Sequence, residues 1–567
     1  MKFERFWCCT VVLAMVFGCA AFASAQELVS GQARATQNNE FAAPAARVVA
    51  NDLPQVTAAQ TALHAVPSPR VRYSDQEWAA IKQQATLAPA STRAALTNAL
   101  QPRGGAGLTP GAFTNFLGSN EDLGCSFLTP SDMGVAANTN FVVQAVNACY
   151  AVYLKPHTLA AGFPKSLAAL MLRPAGTFVF DPRALYDYGA QRWVVIASEV
   201  SGGNGFLDIA ASAGTDPRGA YHVYHIQTGG NGNFPDYPAL GQDHSQNPFN
   251  GTINICANIF VIGGGFVTDQ CDFLPKAPIY AGAGFSFNAF NGFSFGGTID
   301  TLQPVNVSEK GQQPRATLLI NSHNGGFAHP ANGLDVWAFT NTIVRTGSPG
   351  VRFTAIHVAT PSSYNFPANA DQPGSDNSIE TLDNRITGMV QYNAGRLYPM
   401  IDVANGGTSA NLGWVVRVFF GIDNLDTTNC VGFFANACAG LTAVTIEQEF
   451  CYDCGAGHAA DAYFGDIGVT PEGNWTMYST FSNRSISPGT FYASNRVTWP
   501  TPFHDGGIFL CQNQHFYNQG RWGDYMATAL DVTAGQHPDI YGSGMFVQGN
   551  GDWGTCIGAN QYKLNEP

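Results

Sequence analysis

The sequence predicts an all-β protein built from repeated short antiparallel units, and three observations lead there. Charged residues make up only 12% of the 567-residue chain, about half the ~25% of an average soluble protein, while hydrophobic residues hold at an ordinary 45%. The difference is taken up by 62 Gly, 32 Pro and a heavy aromatic load of 39 Phe, 20 Tyr and 9 Trp. From about residue 125 onward, short β-like runs alternate with clusters of Gly, Asn, Asp and Pro. A helical bundle needs Ala, Glu, Lys and Leu, and a disordered chain lacks apolar surface to bury. This composition fits neither.

Residues 1–25 read as an export leader. Lys2 and Arg5 give a positive start, Val11–Phe17 an apolar run, and Ala23-Ser24-Ala25 a small-residue cleavage site before Gln26. The apolar run is too short for a membrane span, and no later stretch has ~20 uninterrupted apolar residues. Residues 26–120 are rich in Ala, Gln, Thr and Pro and lack strand alternation, so they read as a loosely structured arm. One helix is expected within it. Ser74 and Glu77 form a capping box, with Trp78, Ile81 and Ala85 on one face. Gly104-Gly105-Ala106-Gly107 marks the arm's flexible end.

Residues 121–567 repeat. A polar residue is followed by a small-or-apolar strand, a Gly/Asn turn and a second apolar strand. The pattern begins at Asp132, Asp181, Asp236, Gln313, Asp383, Tyr463 and Asp524, at spacings of roughly 50 to 80 residues. Units of this kind cannot each bury two faces alone, and a radial arrangement lets each pack on its neighbours. A seven-bladed β-propeller is therefore expected, with Ala184, Ala239, Ala316 and Ala527 lining its central channel. A series of two or three sandwiches would need a linker between about 120 and 560, and the composition shows none.

The repeat's first position carries the candidate chemistry. Asp132, Asp181, Asp236, Asp383 and Asp524 would ring one mouth of the channel, where converging carboxylates repel unless hydrogen-bonded or neutralised by a cation. Ca²⁺ is the ion this oxygen-rich set would hold. In the competing reading each Asp accepts loop N–H groups and holds its own turn. Sugar recognition uses aromatic platforms beside carboxylates, and cleavage needs two carboxyls ~5–10 Å apart. Tyr237, Trp522, Tyr186 and Trp193 are the candidate platforms, unless they are core or turn anchors. Asp236, Asp383 and Asp524 with Arg521 are the candidate catalytic groups. Searches for GxSxG, a P-loop and a strand-associated GxGxxG give nothing convincing, so no organic cofactor is expected. The scattered histidines show no zinc spacing.

Cysteine usage agrees with export. Three of the 13 Cys lie in the leader. The rest form an even set: Cys125, Cys149, Cys256, Cys271, Cys430, Cys438, Cys451, Cys454, Cys511 and Cys556. Disulfides are the default for such a set in an oxidising compartment. Proximity suggests 125–149, 256–271, 430–438 and 511–556, with 451–454 left over. The formal charge is −13, and −14 once Lys2, Arg5 and Glu4 leave with the leader. A dispersed acidic surface excludes nucleic acid as the expected partner, since phosphate binding wants clustered Lys and Arg.

The strings PSDMGVAANTNFVVQAVN, FDPRALYDYGAQRWVV, DYPALG, DNRI and RWGDYMATALDVT…WGT resemble a large family of secreted bacterial seven-bladed propeller proteins, loosely labelled sialidase-like. The resemblance covers about residues 120–560 and implies the fold far more than the chemistry. The Asp-box Ser-x-Asp-x-Gly-x-x-Trp is absent and no arginine triad is placed by motif, so the sialidase label does not carry over. The expected role is extracellular, non-catalytic binding of a polysaccharide or surface component. The alternatives are a glycan-cleaving enzyme (a glycoside hydrolase or polysaccharide lyase) and a self-assembling surface or matrix protein. The sequence leaves the oligomeric state open.

Overall fold

The computed structural model describes residues 26–27, 33–56, 64–65, 74–87, 114–121, 128–244, 251–308, 314, 316–322, 333–344, 350–360, 366–405, 408–421, 440–451, 460–495, 505–518, 521–532 and 538–561. The leader and the Gly104–Gly107 segment lie outside these, as do Gln313, Cys125, Cys430, Cys438 and Cys454.

The fold is all-β. Among the described residues, seven antiparallel sheets of four or five strands follow one another along the chain. Their leading strands are Gly134–Ala137, Phe178–Asp187, Asn233–Gln242, Gln303–Pro304, Gln391–Asn393, Asp461–Val469 and Ala527–Asp531. The first three pack against one another in order, and the third packs against the fourth. A parallel bridge from Asn306 to Gln391 carries the contact on to the fifth sheet. The fifth sheet's Met400–Asn405 touches the sixth sheet, the sixth touches the seventh, and the seventh returns to the first.

Core clusters fill the gaps between neighbouring sheets. Trp193, Val195 and Tyr221 pack with Val143 and Tyr150 between the first and second, and Ile209 and Leu240 pack between the second and third. Another cluster gathers Met133, Tyr237, Leu382, Phe464, Trp522, Tyr525 and Trp553 from the leading ends of different sheets. Each such apolar side chain contributes roughly 1.5–3 kcal/mol on full burial.

The leading strands share one distortion. The ladder slips between Phe180 and Arg183, between Asp236 and Ala239, and between Tyr463 and Asp466. At each slip one residue adopts the left-handed conformation: Asp181, Tyr237 and Phe464, all at φ 53°. Asp132, Thr301 and Leu382 take the same region at φ 30°, 54° and 54°. A bulge of this kind re-aims side chains near the strand's start. It also corrects the expected register. The left-handed residue is Tyr237 rather than Asp236, Leu382 rather than Asp383, and Phe464 rather than Tyr463. The fourth sheet starts after Thr301, well before Gln313. Ala184 lines a small cavity shared with other leading strands and packs in the cluster between the first and second sheets, whereas Ala316 packs in the cluster between the fourth and fifth.

The arm is more ordered than the sequence suggests. Gln26–Glu27 adds an outermost strand to the fourth sheet, Ala33–Ala42 to the third and Pro44–Val49 to the second. Thr114–Asn120 then pairs with Trp553–Gln561 as the outermost strand of the seventh. An outermost strand wetted on both faces needs no hydrophobic alternation, and Ala33–Ala42 is exposed along most of its length. Helix α1, Asp75–Leu87, forms where the capping box places it. Glu77 accepts from the Ser74 backbone N–H at 2.8 Å and from its hydroxyl at 2.7 Å.

Candidate functional site

The five aspartates of the repeat do converge at the leading ends of the strands, but they divide into two kinds. Asp132 and Asp181 are fully buried and act as clasps between sheets. Asp132 accepts the Asp524 backbone N–H at 2.7 Å, tying the first sheet to the seventh. Asp181 accepts the Tyr237 N–H at 3.1 Å, tying the second to the third. The Asp181 N–H in turn donates to Asn147 at 2.7 Å, and Asn147 donates to Asp132 at 3.0 Å. Asn258 and Asp402 repeat the device, accepting the N–H of Thr301 at 2.8 Å and of Phe464 at 3.0 Å. Asp132 and Asp181 thus accept backbone N–H groups, but from a neighbouring sheet rather than from their own entry turns.

Asp236, Asp383 and Asp524 keep slight contact with solvent, at 7%, 5% and 6% exposure. Asp383 is gripped by Arg385, with Nε to Oδ1 at 2.7 Å and Nη2 to Oδ2 at 2.9 Å. Burial would raise its carboxyl, but Arg385 outweighs burial and holds it below the ordinary carboxylate range. Arg521 donates to Asp524, and the Arg521 side chain is 18% exposed. Asp236 has no such partner, and its Oδ1 makes no hydrogen bond among the described residues. Burial first and Asp524 second push its carboxyl up to about 8. Burial and neighbouring carboxylates push Asp132 and Asp181 well up too.

Two tyrosines and a third arginine complete the group. Tyr237 and Tyr525 meet edge to face with centroids 5.5 Å apart. Arg183 lies over Tyr525 at 3.2 Å, and Arg385 over Tyr237 at 4.9 Å. Arg183 and Arg385 were not among the expected site residues. Both carry a signal in the sequence, because each stands two positions after an aspartate, in Asp181-Pro182-Arg183 and Asp383-Asn384-Arg385.

The expected aromatic platforms separate. Tyr237 and Trp522 lie in the central cluster and are buried, Trp522 donating to Thr480 at 3.0 Å. Trp193 and Tyr186 meet at 4.6 Å with their rings tilted by 51°, in the core between the first two sheets, away from the five carboxylates. Tyr186 also lines a cavity of about 20 Å³ with Ala184, Asn306 and Met389, room for about one water.

The fit of calcium can be tested on the geometry. No three of these aspartates bring carboxylate oxygens within 4.8 Å of one another. Arg385 and Arg521 already supply countercharge to Asp383 and Asp524. The five carboxylates as arranged do not fit one ion held by several of them. Among the described residues, two cysteine pairs are joined as expected, Cys256–Cys271 and Cys511–Cys556, and Cys149 is also disulfide-bonded. No helix among them is long and apolar enough to cross a membrane.

No family model matches the chain, and no curated protein matches it. Among solved structures, it is similar to a GH43 endo-arabinanase from Bacillus licheniformis, with 10% identity over 75% of this chain and 92% of that one, at a TM-score of 0.23. A protein of unknown function from Dyadobacter fermentans matches with 11% identity over 68% and 95%, at 0.29. An exo-beta-1,3-galactanase from Phanerochaete chrysosporium matches with 10% identity over 80% and 97%, at 0.26. Likeness at these scores carries no argument about blade number or activity.

Proposed function

We propose that the chain is an exported seven-bladed β-propeller that binds an extracellular polysaccharide or other surface component at the leading end of its central channel, without cleaving it. Seven sheets in chain order, a return contact from the seventh to the first, and an N-terminal strand completing the last sheet support the closed ring. Disulfides within and between sheets support an oxidising compartment.

The observation that carries the binding reading is the pairing of the charges nearest solvent. Asp383 with Arg385, and Asp524 with Arg521, form fixed sets of donors and acceptors over a tyrosine floor. Carboxylates locked to guanidinium groups are poor proton carriers but good partners for sugar hydroxyls.

One observation favours the cleaving alternative. Asp236, its carboxyl pushed up to about 8 chiefly by burial, stands near the Arg521-paired Asp524, and a buried carboxyl of this kind can serve as a proton donor. Both readings are tested by running the mature protein against a panel of polysaccharides, scoring retention by affinity electrophoresis and cleavage by reducing-end release. Binding without cleavage predicts retention that weakens in Arg385→Met and no release. Release that disappears in Asp236→Asn would move the protein to the enzymes. Absence of retention across an acidic, neutral and basic panel would overturn the binding proposal.

A further inference from the structure

The geometry points to a site for a divalent transition-metal ion, with Zn²⁺ the ion that suits it, formed by Glu199, Asp208 and His225 on the second sheet. The inference is independent of the ligand proposed for the channel mouth. Three neighbouring strands supply one ligand each: Arg192–Ser201, Asn204–Ser212 and Ala220–Gln227. The register sets Asp208 opposite His225 on one side and opposite Ala197 on the other, with Glu199 two positions further along an unbroken ladder. Diagonal neighbours of this kind lie within reach of long side chains. Val195, Ala197, Ala210 and Val223 continue the same rows as apolar core between the first and second sheets. The polar trio stands where those rows near the leading end, Glu199 pairing with Val179 of the leading strand.

One ligand atom from each of the three lies within 4.8 Å of the other two. Ligand atoms around a tetrahedral Zn²⁺, each ~2.1 Å from the ion, stand ~3.4 Å apart, so a small inward movement closes the set. Glu199 and Asp208 are fully buried. The side chains of His225 and Arg173 are 17% and 15% exposed and connect the trio to solvent.

The donor set decides which ion fits. Imidazole nitrogen beside two carboxylates suits a transition ion, whereas Ca²⁺ and Mg²⁺ take oxygen ligands. A divalent ion with two carboxylates and a neutral imidazole is uncharged overall, as a buried place demands. Without the ion the charges do not balance. Arg173 donates from Nε to Asp208 Oδ2 at 3.2 Å and from Nη2 to Oδ1 at 3.0 Å, and its Nη2 also lies against Glu199. One guanidinium cannot neutralise two carboxylates. Glu199 Oε1 takes the Ser201 hydroxyl at 2.5 Å, but Oε2 accepts no hydrogen bond among the described residues despite its burial. His225 Nδ1 stands 2.8 Å from Asp208 Oδ1 and so already points into the group. Arg173 comes from the segment before the leading strand, outside the ladder, with its guanidinium over the Phe206 ring at 4.9 Å. It can yield to an incoming ion without breaking a strand.

The test uses the mature chain, purified without a polyhistidine tag, stripped with EDTA and desalted. Zinc uptake is counted by elemental analysis and titrated by calorimetry, with thermal melts alongside. Wild type should take up one Zn²⁺ at this site and gain Tm. Glu199→Gln and His225→Gln should each bind it at least about tenfold more weakly, since even groups behind the ligands of a metal are worth about 10–100-fold. Arg173→Met leaves two buried carboxylates uncompensated, so it should melt below wild type in EDTA and be restored by Zn²⁺ but not by Ca²⁺. It should also bind Zn²⁺ about tenfold more tightly than wild type, because no buried ion pair has to be broken first. Equal zinc uptake by wild type, Glu199→Gln and His225→Gln would put the ion elsewhere and overturn the site. Absence of uptake by both wild type and Arg173→Met would overturn it as well. Should Arg173→Met fail to fold even with zinc, wild type against His225→Gln, whose side chain is partly exposed, decides alone.

Discussion

Asp236 is the residue whose chemistry departs furthest from its solution behaviour. Its folded pKa of about 8 stands above the ~3.9 of an unfolded aspartate. Between those values the folded chain holds a proton that the unfolded chain has lost. Stability therefore falls as pH rises through this window, and the favourable contribution is complete only below it. Asp236→Asn should match wild type in Tm near about pH 4.5 and exceed it near about pH 8.5. A gap of equal size at both pH values would show that the carboxyl does not titrate as described. Asp132 and Asp181 shift in the same direction, so the wild-type slope should shrink in the variant without vanishing. The convergence of these groups is legible in the sequence because the repeat puts Asp132, Asp181 and Asp524 at comparable strand positions. The register at Asp236 is not, because Tyr237 takes the left-handed place that Asp181 takes one sheet earlier. Aligning on the prolines that follow, Pro182 and Pro238, would place Tyr237 opposite Asp181. Aspartate is the more familiar occupant of left-handed backbone, and that preference hides a tyrosine held there by burial.

At the scale of elements, the strands of the sheets are legible and the arm is not. Leading and inner strands bury both faces and read as apolar runs, such as Arg192–Ser201 and Thr252–Val261. The arm's strand Ala33–Ala42 reads ARATQNNEFA, with no period to find, because only its backbone is used by the third sheet. The helix is visible because a capping box is a local signal needing no partner. Its docking rests on Phe366, Pro367 and Glu380, some 300 residues away, and no local pattern reports that. The outer strands and the closing strand should differ in what they hold. A mature chain beginning at Pro44 loses the added strands of the third and fourth sheets, exposing edges that the native arm covers. It should still fold, with a lower Tm and a greater tendency to associate through the uncovered edges. A chain beginning at Glu121 also loses Pro44–Val49 from the second sheet, helix α1, and Thr114–Asn120, which completes the seventh sheet, and should fail to give a cooperative transition. Equal Tm for the two truncations in thermal melts would show that Thr114–Asn120 adds nothing to the fold.

Over the whole molecule, closure of the proposed ring is the step that local pairing cannot stabilise, since it joins strands from opposite ends of the chain. Three devices converge there. Thr114–Asn120 lies on Trp553–Gln561, Asp132 accepts the Asp524 N–H, and Gln144 donates to Ser543 at 2.7 Å and Thr555 at 2.9 Å. The Cys511–Cys556 bridge steadies the seventh sheet from its other side, joining it to the sixth across 45 residues. Cys256–Cys271 joins facing positions on adjacent strands of the third sheet across 15 residues. Loop-closure entropy alone assigns about 4 kcal/mol to the longer crosslink and about 3 kcal/mol to the shorter. The position of the longer bridge should widen that difference, because the hairpin around Cys256 and Cys271 is already tied by its own ladder. Cys511→Ala/Cys556→Ala is therefore expected to lower the denaturation midpoint more than Cys256→Ala/Cys271→Ala. It should also speed amide exchange selectively in residues 114–120 and 553–561, as the seventh sheet gains freedom to swing from the sixth. If the hairpin variant proves the more damaging, or exchange rises evenly over all seven sheets, the weak point of the ring lies elsewhere than at the seam where its two chain ends meet.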